Sequence, residues 1–267
     1  MKNLRHVRRA LVLAAHPDDC EFFAGGLVAL LCRAGVEVTE VIATDGCRGT
    51  FLPEGLSDLA TIRQQEARNA ASIMGKKDVI FLGHGDGFLD DVPKNELRGV
   101  FMEHIRRLQP DLLLTFDPGA RFEFHPDHRR VAHAAHEAVS FAAMPRYYPE
   151  QISAGLRPHM TPLRYLFGRN EDIAATAVDI SESLDTKIKA IMAHSSQVRT
   201  MMEDFAAIID ATGEGAALKP VIDPDNPGPG IDLLIRAWAG ATGAQHNCAA
   251  AEVFRRESVG DIFNAGA

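Results

Sequence analysis

Along the first half of the chain, short unbroken apolar runs alternate with stretches in which apolar residues recur every three or four positions. The runs are ALVLAA (10–15), EVTEVIAT (37–44), DVIFLG (78–83) and DLLLTF (111–116). Helical spacing covers Gly26–Ala34, Leu59–Met74 and Lys94–Leu108, and a further helix is predicted over roughly Asp127–Ala142. Runs this short, without polar alternation, suit strands of a parallel sheet buried on both faces. The alternation therefore predicts an α/β, Rossmann-like doubly wound fold with a mainly parallel sheet, helices on both faces and right-handed crossovers.

The second half has a weaker pattern. LRYLFG (163–168) and ATAVDI (175–180) predict extra strands, and Ser181–Ala193 has helical spacing behind an acidic first turn. KPVIDPDNPGPG (219–230) has no periodicity and predicts a loop, followed by a helix near Ile231–Ala241. With no internal repeat or low-complexity tract, one domain spanning residues 1–267 is expected.

Composition narrows the functional classes. At 267 residues with 46% hydrophobic content, the chain can bury a sizeable core without staples, so a metal here would serve chemistry. A net charge of −8 argues against a nucleic-acid partner, which would want a basic face. The four cysteines (Cys20, Cys32, Cys47, Cys248) contain no CxxC pair and read as reduced thiols of a cytoplasmic protein. MKNLRHVRRALVLAA starts like a signal peptide, but its apolar run is six residues long and reads as the first strand. No 18-residue apolar run predicts a membrane span.

In a doubly wound fold, function gathers beyond the carboxyl ends of the strands, near the point where strand order reverses. His16-Pro17-Asp18-Asp19 follows the first strand and Thr44-Asp45-Gly46 the second. Gly83-His84-Gly85-Asp86-Gly87 follows the third, and the loop with His125-Pro126-Asp127-His128 follows the fourth. The first and fourth strands are neighbours in the usual order, so two His-Pro-Asp turns should face each other. Turn formation and helix capping account for a proline and one aspartate. They do not account for the histidine or the second carboxylate.

Neutral imidazole and carboxylate oxygens make a zinc site, and a catalytic zinc keeps three protein ligands and one water. His16 and Asp19 can meet one ion, with a histidine of the facing turn as the third ligand. Asp18 is then free to take a proton from water whose pKa the metal lowers to about 7. The other histidine of the facing turn can stand by a developing oxyanion as a cationic donor. His133 and His136, three apart on the following helix, could pair on a metal, although such residues more often sit on a half-exposed face. A phospho-receiver domain is excluded by Gly-His at the end of the third strand, and AAHPDDCEFFAGG fails the GxGxxG dinucleotide pattern.

These motifs together resemble the LmbE-like, or PIG-L-type, zinc N-deacetylases. The resemblance rests on AHPDDCEFFAGG, TDG, Arg63-x-x-Glu66-x-x-x-Ala70, Gly85-Asp86-Gly87 and HPDHR at 125–129. Lys187 with His194-Ser195-Ser196-Gln197, and Ala251-Glu252-Val253-Phe254, continue it. It implies His16, Asp19 and His128 as ligands of one Zn2+ per chain, with other divalent metals also admissible. It implies Asp18 as general base, His125 as the oxyanion-side residue, and Arg63 and Asp86 as contacts to sugar hydroxyls. The substrate it implies is a small N-acetylated amino sugar, and the assembly a homo-oligomer, trimer or hexamer.

TDGCRGTF followed by IRQQEARNAASIMG is most similar to the branch that deacetylates N-acetylglucosamine or diacetylchitobiose. The choice among branches should lie in residues 51–59, 147–161 and 219–230. Two other readings fit the motifs: an amidase of the same fold acting on a thiol conjugate or antibiotic intermediate, and a non-catalytic metal or sugar binder. A binder has no need of Asp18.

Overall fold

A computed structural model describes residues 4–51, 58–168 and 176–260. Residues 52–57 of the first branch-choosing segment, and Ala175 of the predicted strand 175–180, lie outside the described residues. Seven strands form one sheet: β1 (Arg9–Ala14), β2 (Glu37–Thr44), β3 (Asp78–His84), β4 (Leu112–Phe116), β5 (Leu163–Phe167), β6 (Thr176–Asp179) and β7 (Ala251–Ser258). Their order is β3-β2-β1-β4-β5-β7-β6. The first five are parallel, and β7 runs antiparallel between β5 and β6.

The helices are α1 (Asp19–Arg33), α2 (Leu59–Met74), α3 (Lys94–Leu108), α4 (Pro126–Phe141), α5 (Pro149–Ser153), α6 (Leu184–Met192), α7 (Ser195–Thr212) and α8 (Gly228–Gln245). α1, α2 and α6 pack with one another, and α3 packs with α4, as two layers flanking the sheet. The central strands β1 and β4 are buried almost throughout, whereas edge strand β3 is half-buried. Leu11, Val12 and Leu13 are fully buried, and side chains of this kind contribute about 1.5–3 kcal/mol each when removed from water. That core makes the strand ends a rigid platform.

The doubly wound, mainly parallel sheet agrees with the sequence pattern. β2, α2 and α3 have the predicted bounds. Three elements escaped the pattern: α7, the short α5, and β7, whose AEVF start stood out only as a motif. α8 begins at Gly228, and part of the predicted 219–230 loop is a 3-10 turn over Ala216–Val221. α1 begins seven residues before the predicted Gly26, because the turn after β1 is itself the helix start.

Candidate active site

β1 and β4 lie side by side with Leu13 opposite Thr115, so the two His-Pro-Asp turns meet just beyond their ends. Nδ1 of His16 lies 3.2 Å from Nε2 of His128. Asp19 Oδ1 is 3.3 Å from that same Nε2, and Asp19 Oδ2 is 3.7 Å from Nδ1 of His16. Oδ2 accepts the amides of Ala15 and His16 at 2.9 and 2.7 Å, which leaves Oδ1 facing His128. A tetrahedral ion bound at about 2.0–2.1 Å separates its ligand atoms by about 3.3 Å. His128 Nε2 stands at that spacing from both His16 Nδ1 and Asp19 Oδ1, and the three donors are of the kind that fits a metal.

The electrostatics point the same way. Burial alone would lower both imidazoles, but Asp127, Asp19 and Asp86 hold His16 well above the ordinary value, and Asp19 helps raise His128 to about 9. Burial opposes the Asp19 charge, yet His128 and His16 keep that carboxyl well below its usual range. Three buried carboxylates, Asp19, Asp86 and Asp127, surround the buried His16 ring.

Orienting carboxylates stand behind the histidines, as metal-ligating imidazoles require. His16 Nε2 faces Asp127 Oδ2 at 3.1 Å and Asp86 Oδ1 at 3.2 Å. Asp127 is fully buried and also accepts the amides of Gly87 (2.7 Å) and Leu89 (3.1 Å), tying the loop after β3 to α4. Glu123 Oε2 lies 3.2 Å from Nδ1 of His128. Sequence reasoning missed Asp127 and Glu123. For Asp127 a signal existed, since a carboxylate between two candidate histidines is well placed to orient one of them.

Asp18 begins α1 with φ 118°, in the left-handed region, and its side chain makes no capping hydrogen bond. The capping explanation of this residue therefore fails. Its carboxylate is instead beside the Arg63 guanidinium, at 3.2 Å. Burial raises the Asp18 carboxyl above its usual range, although Arg63 opposes the shift.

Arg63 is nearly buried and donates to Gly46 O (2.8 Å) and Pro17 O (2.6 Å). A Cβ at Gly46, where φ is +67°, would come within 2.7 Å of that guanidinium, so the glycine of TDG makes room for it. Asp86 is also buried, with Oδ2 accepting the Arg48 amide at 2.9 Å. Arg63 and Asp86 thus form the floor beneath Asp18 and His16.

His125 precedes α4 as its cap, and its Nδ1 accepts the Asp127 amide at 3.2 Å. Its ring centroid is 4.5 Å from that of His16 and 4.6 Å from that of His128. Burial and the two neighbouring histidines lower its pKa. An Nδ1 that accepts this hydrogen bond leaves the neutral ring with its hydrogen on Nε2. The lowered pKa and the accepting Nδ1 favour the neutral form of this donor over the cationic one expected.

The other candidates go elsewhere. His133 is exposed and His136 pairs with Glu257 at 3.2 Å, so the two make no metal pair. The His194-Ser195-Ser196-Gln197 motif packs against the site from behind. Glu66 accepts from both serine hydroxyls and the Ser196 amide at 2.7 Å, and Gln197 Nε2 donates to Gly49 O at 3.0 Å. Cys20, Glu21 and Glu40 also cluster. The Lys76 ammonium already fills that space, 2.6 Å from Glu21 and 2.5 Å from Glu40.

A family model described as GlcNAc-PI de-N-acetylase (PIG-L) matches residues 11–139. Diacetylchitobiose deacetylase of Thermococcus kodakarensis is 34% identical over 193 residues, 72% of this chain and 70% of that protein. The 1D-myo-inositol 2-acetamido-2-deoxy-α-D-glucopyranoside deacetylase of Actinosynnema mirum is 28% identical over 253 residues, 80% of this chain and 89% of that protein. Among solved structures, N,N'-diacetylchitobiose deacetylase from Pyrococcus horikoshii superposes with a TM-score of 0.79 at 29% identity, covering 96% of this chain and 85% of that one.

Proposed function

The chain belongs to the PIG-L family of de-N-acetylases, and from that premise we propose that it hydrolyses the acetamide of an N-acetylglucosamine-type sugar or small chitooligosaccharide. The observation that carries the reading is the cage of His16, Asp19 and His128, with Asp18 beside it and free of any capping bond. His16 Nδ1, Asp19 Oδ1 and His128 Nε2 would hold one divalent metal, for which two imidazoles and a carboxylate suit zinc. When bound, that metal supplies Lewis-acid polarisation and eases deprotonation of water.

The remaining chemistry belongs to side chains of this chain. Asp18 takes the proton of the attacking water and returns it to the amine nitrogen as the C–N bond breaks, releasing acetate and the free amino sugar. Burial makes Asp18 a better base, and Arg63 keeps it ionised and aimed. His125 donates its Nε2–H to the oxygen on which charge develops. Asp127 and Asp86 hold His16 in the orientation that presents Nδ1. Arg63 and Asp86 act from the floor of the sugar site: substituting Arg63 should lower kcat/KM with metal content unchanged, whereas substituting Asp86 should also weaken metal binding through His16.

Among the described residues, no helix is long and apolar enough to cross a membrane. The four cysteines are free, which supports a cytoplasmic setting.

Acetate release from N-acetylglucosamine, diacetylchitobiose, acetylglucosaminyl-inositol and N-acetylated thiol conjugates, with metal-loaded and metal-stripped protein, tests the reading. Turnover of an acetylated sugar that is lost on stripping and restored by zinc is expected. Turnover of thiol conjugates alone would replace the sugar assignment, and metal-independent turnover would overturn the mechanism.

A further inference from the structure

Two residues of the C-terminal part, Lys187 on α6 and Glu252 on β7, have no place in the chemistry above, yet both reach into the middle of α1. Lys187 Nζ donates to the carbonyl of Phe22 at 2.8 Å and to Glu252 Oε1 at 2.7 Å. Glu252 Oε1 accepts the amide of Gly26 at 2.8 Å, and Oε2 accepts the amide of Leu27 at 2.8 Å. Phe22 C=O and Gly26 N–H are an i, i−4 pair, the two groups a helix joins to each other. Here a buried ion pair links them. The Ser183 hydroxyl donates to Gly26 O at 2.8 Å, so both backbone groups of Gly26 are engaged from outside the helix.

Side chains inserted into the i, i−4 ladder bend helices. Glycine is needed at the insertion, because a Cβ on Gly26 would stand 2.7 Å from Ile180. Beyond it, Leu27, Val28 and Leu31 anchor the second half of α1 in the core. Before it, the first turn carries Asp18 and Asp19. A buried ion pair is an expensive way to bridge a helix, since apolar replacements of such pairs are often neutral or stabilising. What the pair adds is a direction for the first turn that core packing of the second half does not dictate.

We propose that Lys187 and Glu252 form a positioning device, which braces α1 at Gly25-Gly26 and sets the orientation of Asp18 and Asp19 toward the facing histidines. This rests on the deacetylase reading for its kinetic consequence but not for its effect on metal affinity. The double variant Lys187→Met/Glu252→Leu removes the ion pair and leaves Phe22 C=O and Gly26 N–H to each other as helix partners. It should fold with a Tm near that of the parent, since the pair is replaced by apolar groups of similar length.

Zinc affinity, measured by competition with a chromophoric chelator, should fall about tenfold or more, as for loss of an orienting partner of a metal ligand. At saturating zinc, kcat should fall with little change in KM, and the visible spectrum of the cobalt(II)-loaded protein should shift. Lys187→Arg, which keeps the charge, should recover most of both effects. If the double variant does not fold, Glu252→Gln is read in the same three ways, because its amide nitrogen would face a backbone donor. A folded variant with parental zinc affinity, cobalt spectrum and kcat overturns the proposal. A parent that releases no acetate while the variant loses zinc affinity overturns the deacetylase reading and leaves the positioning device standing.

Discussion

His-Pro-Asp occurs twice at the site, and the two copies do different work. After β1 the helix starts at Asp19, so the third residue of the motif, Asp18, stands at the helix boundary with φ 118° and a carboxylate that caps nothing and faces Arg63. After β4 the helix starts at Pro126, so the first residue, His125, is the cap and Asp127 lies inside the first turn. There the carboxylate is fully buried and committed to His16, Gly87 and Leu89. The same tripeptide yields the proposed base in one place and an anchor in the other, because the helix begins at a different point of the motif. Residue type names the chemistry that is available. The phase of the helix start determines which chemistry is used.

The sharpest test of this difference removes the proton acceptor alone. Asp18→Asn keeps shape but cannot accept a proton, and kcat should fall by about 10²–10⁴ with zinc content unchanged. Parallel acetate-release kinetics and metal analysis read both quantities. Turnover near that of the parent would make Asp18 a turn residue like any other.

On the opposite turn, His125→Ala removes the neutral donor, and kcat should fall by about 10²–10³ with chelator competition unchanged. Loss of zinc instead would mean that His125 belongs to the ligand set.

Asp127→Asn probes the anchor. Zinc affinity should fall by about 10–100-fold, while turnover at saturating zinc returns close to the parental value. A kinetic defect as deep as that of Asp18→Asn, persisting in excess zinc, would erase the distinction between the two aspartates.

The smallest effect concerns backbone strain. Asp18→Gly should be as inactive as Asp18→Asn yet more stable by about 1 kcal/mol, since only glycine adopts φ 118° without cost. A rise in Tm of about 2–4 °C is expected by calorimetry. An unchanged or lowered Tm would show that Asp18 is not strained.

Much of this architecture was legible in one dimension. β2, α2 and α3 follow from apolar runs and helical spacing, signals generated within a few residues of one another. The site's residue types were legible for a related reason, since polar clusters at the ends of buried strands are hard to explain as packing. β7 was not legible, because its Arg255 and Glu257 read as surface charge. Their half-buried placement makes sense only beside Asp117, which Arg255 meets in two 2.7 Å contacts, and His136. The start of α1 was misplaced because Gly25-Gly26 reads as a break, while the groups that support the helix there come from Ser183, Lys187 and Glu252.

The sequence by itself determined the strand-helix order, the buried sheet and the pair of His-Pro-Asp turns, since each depends on local periodicity and composition. Only the tertiary structure decided that Asp127 anchors His16, 111 positions away in the chain. It also decided that the His125 Nδ1 is taken by the Asp127 amide, and that Arg63 and Asp86 lie under the site. Those outcomes depend on which atoms are desolvated together and which lone pair is already taken, and local sequence pattern contains no record of either.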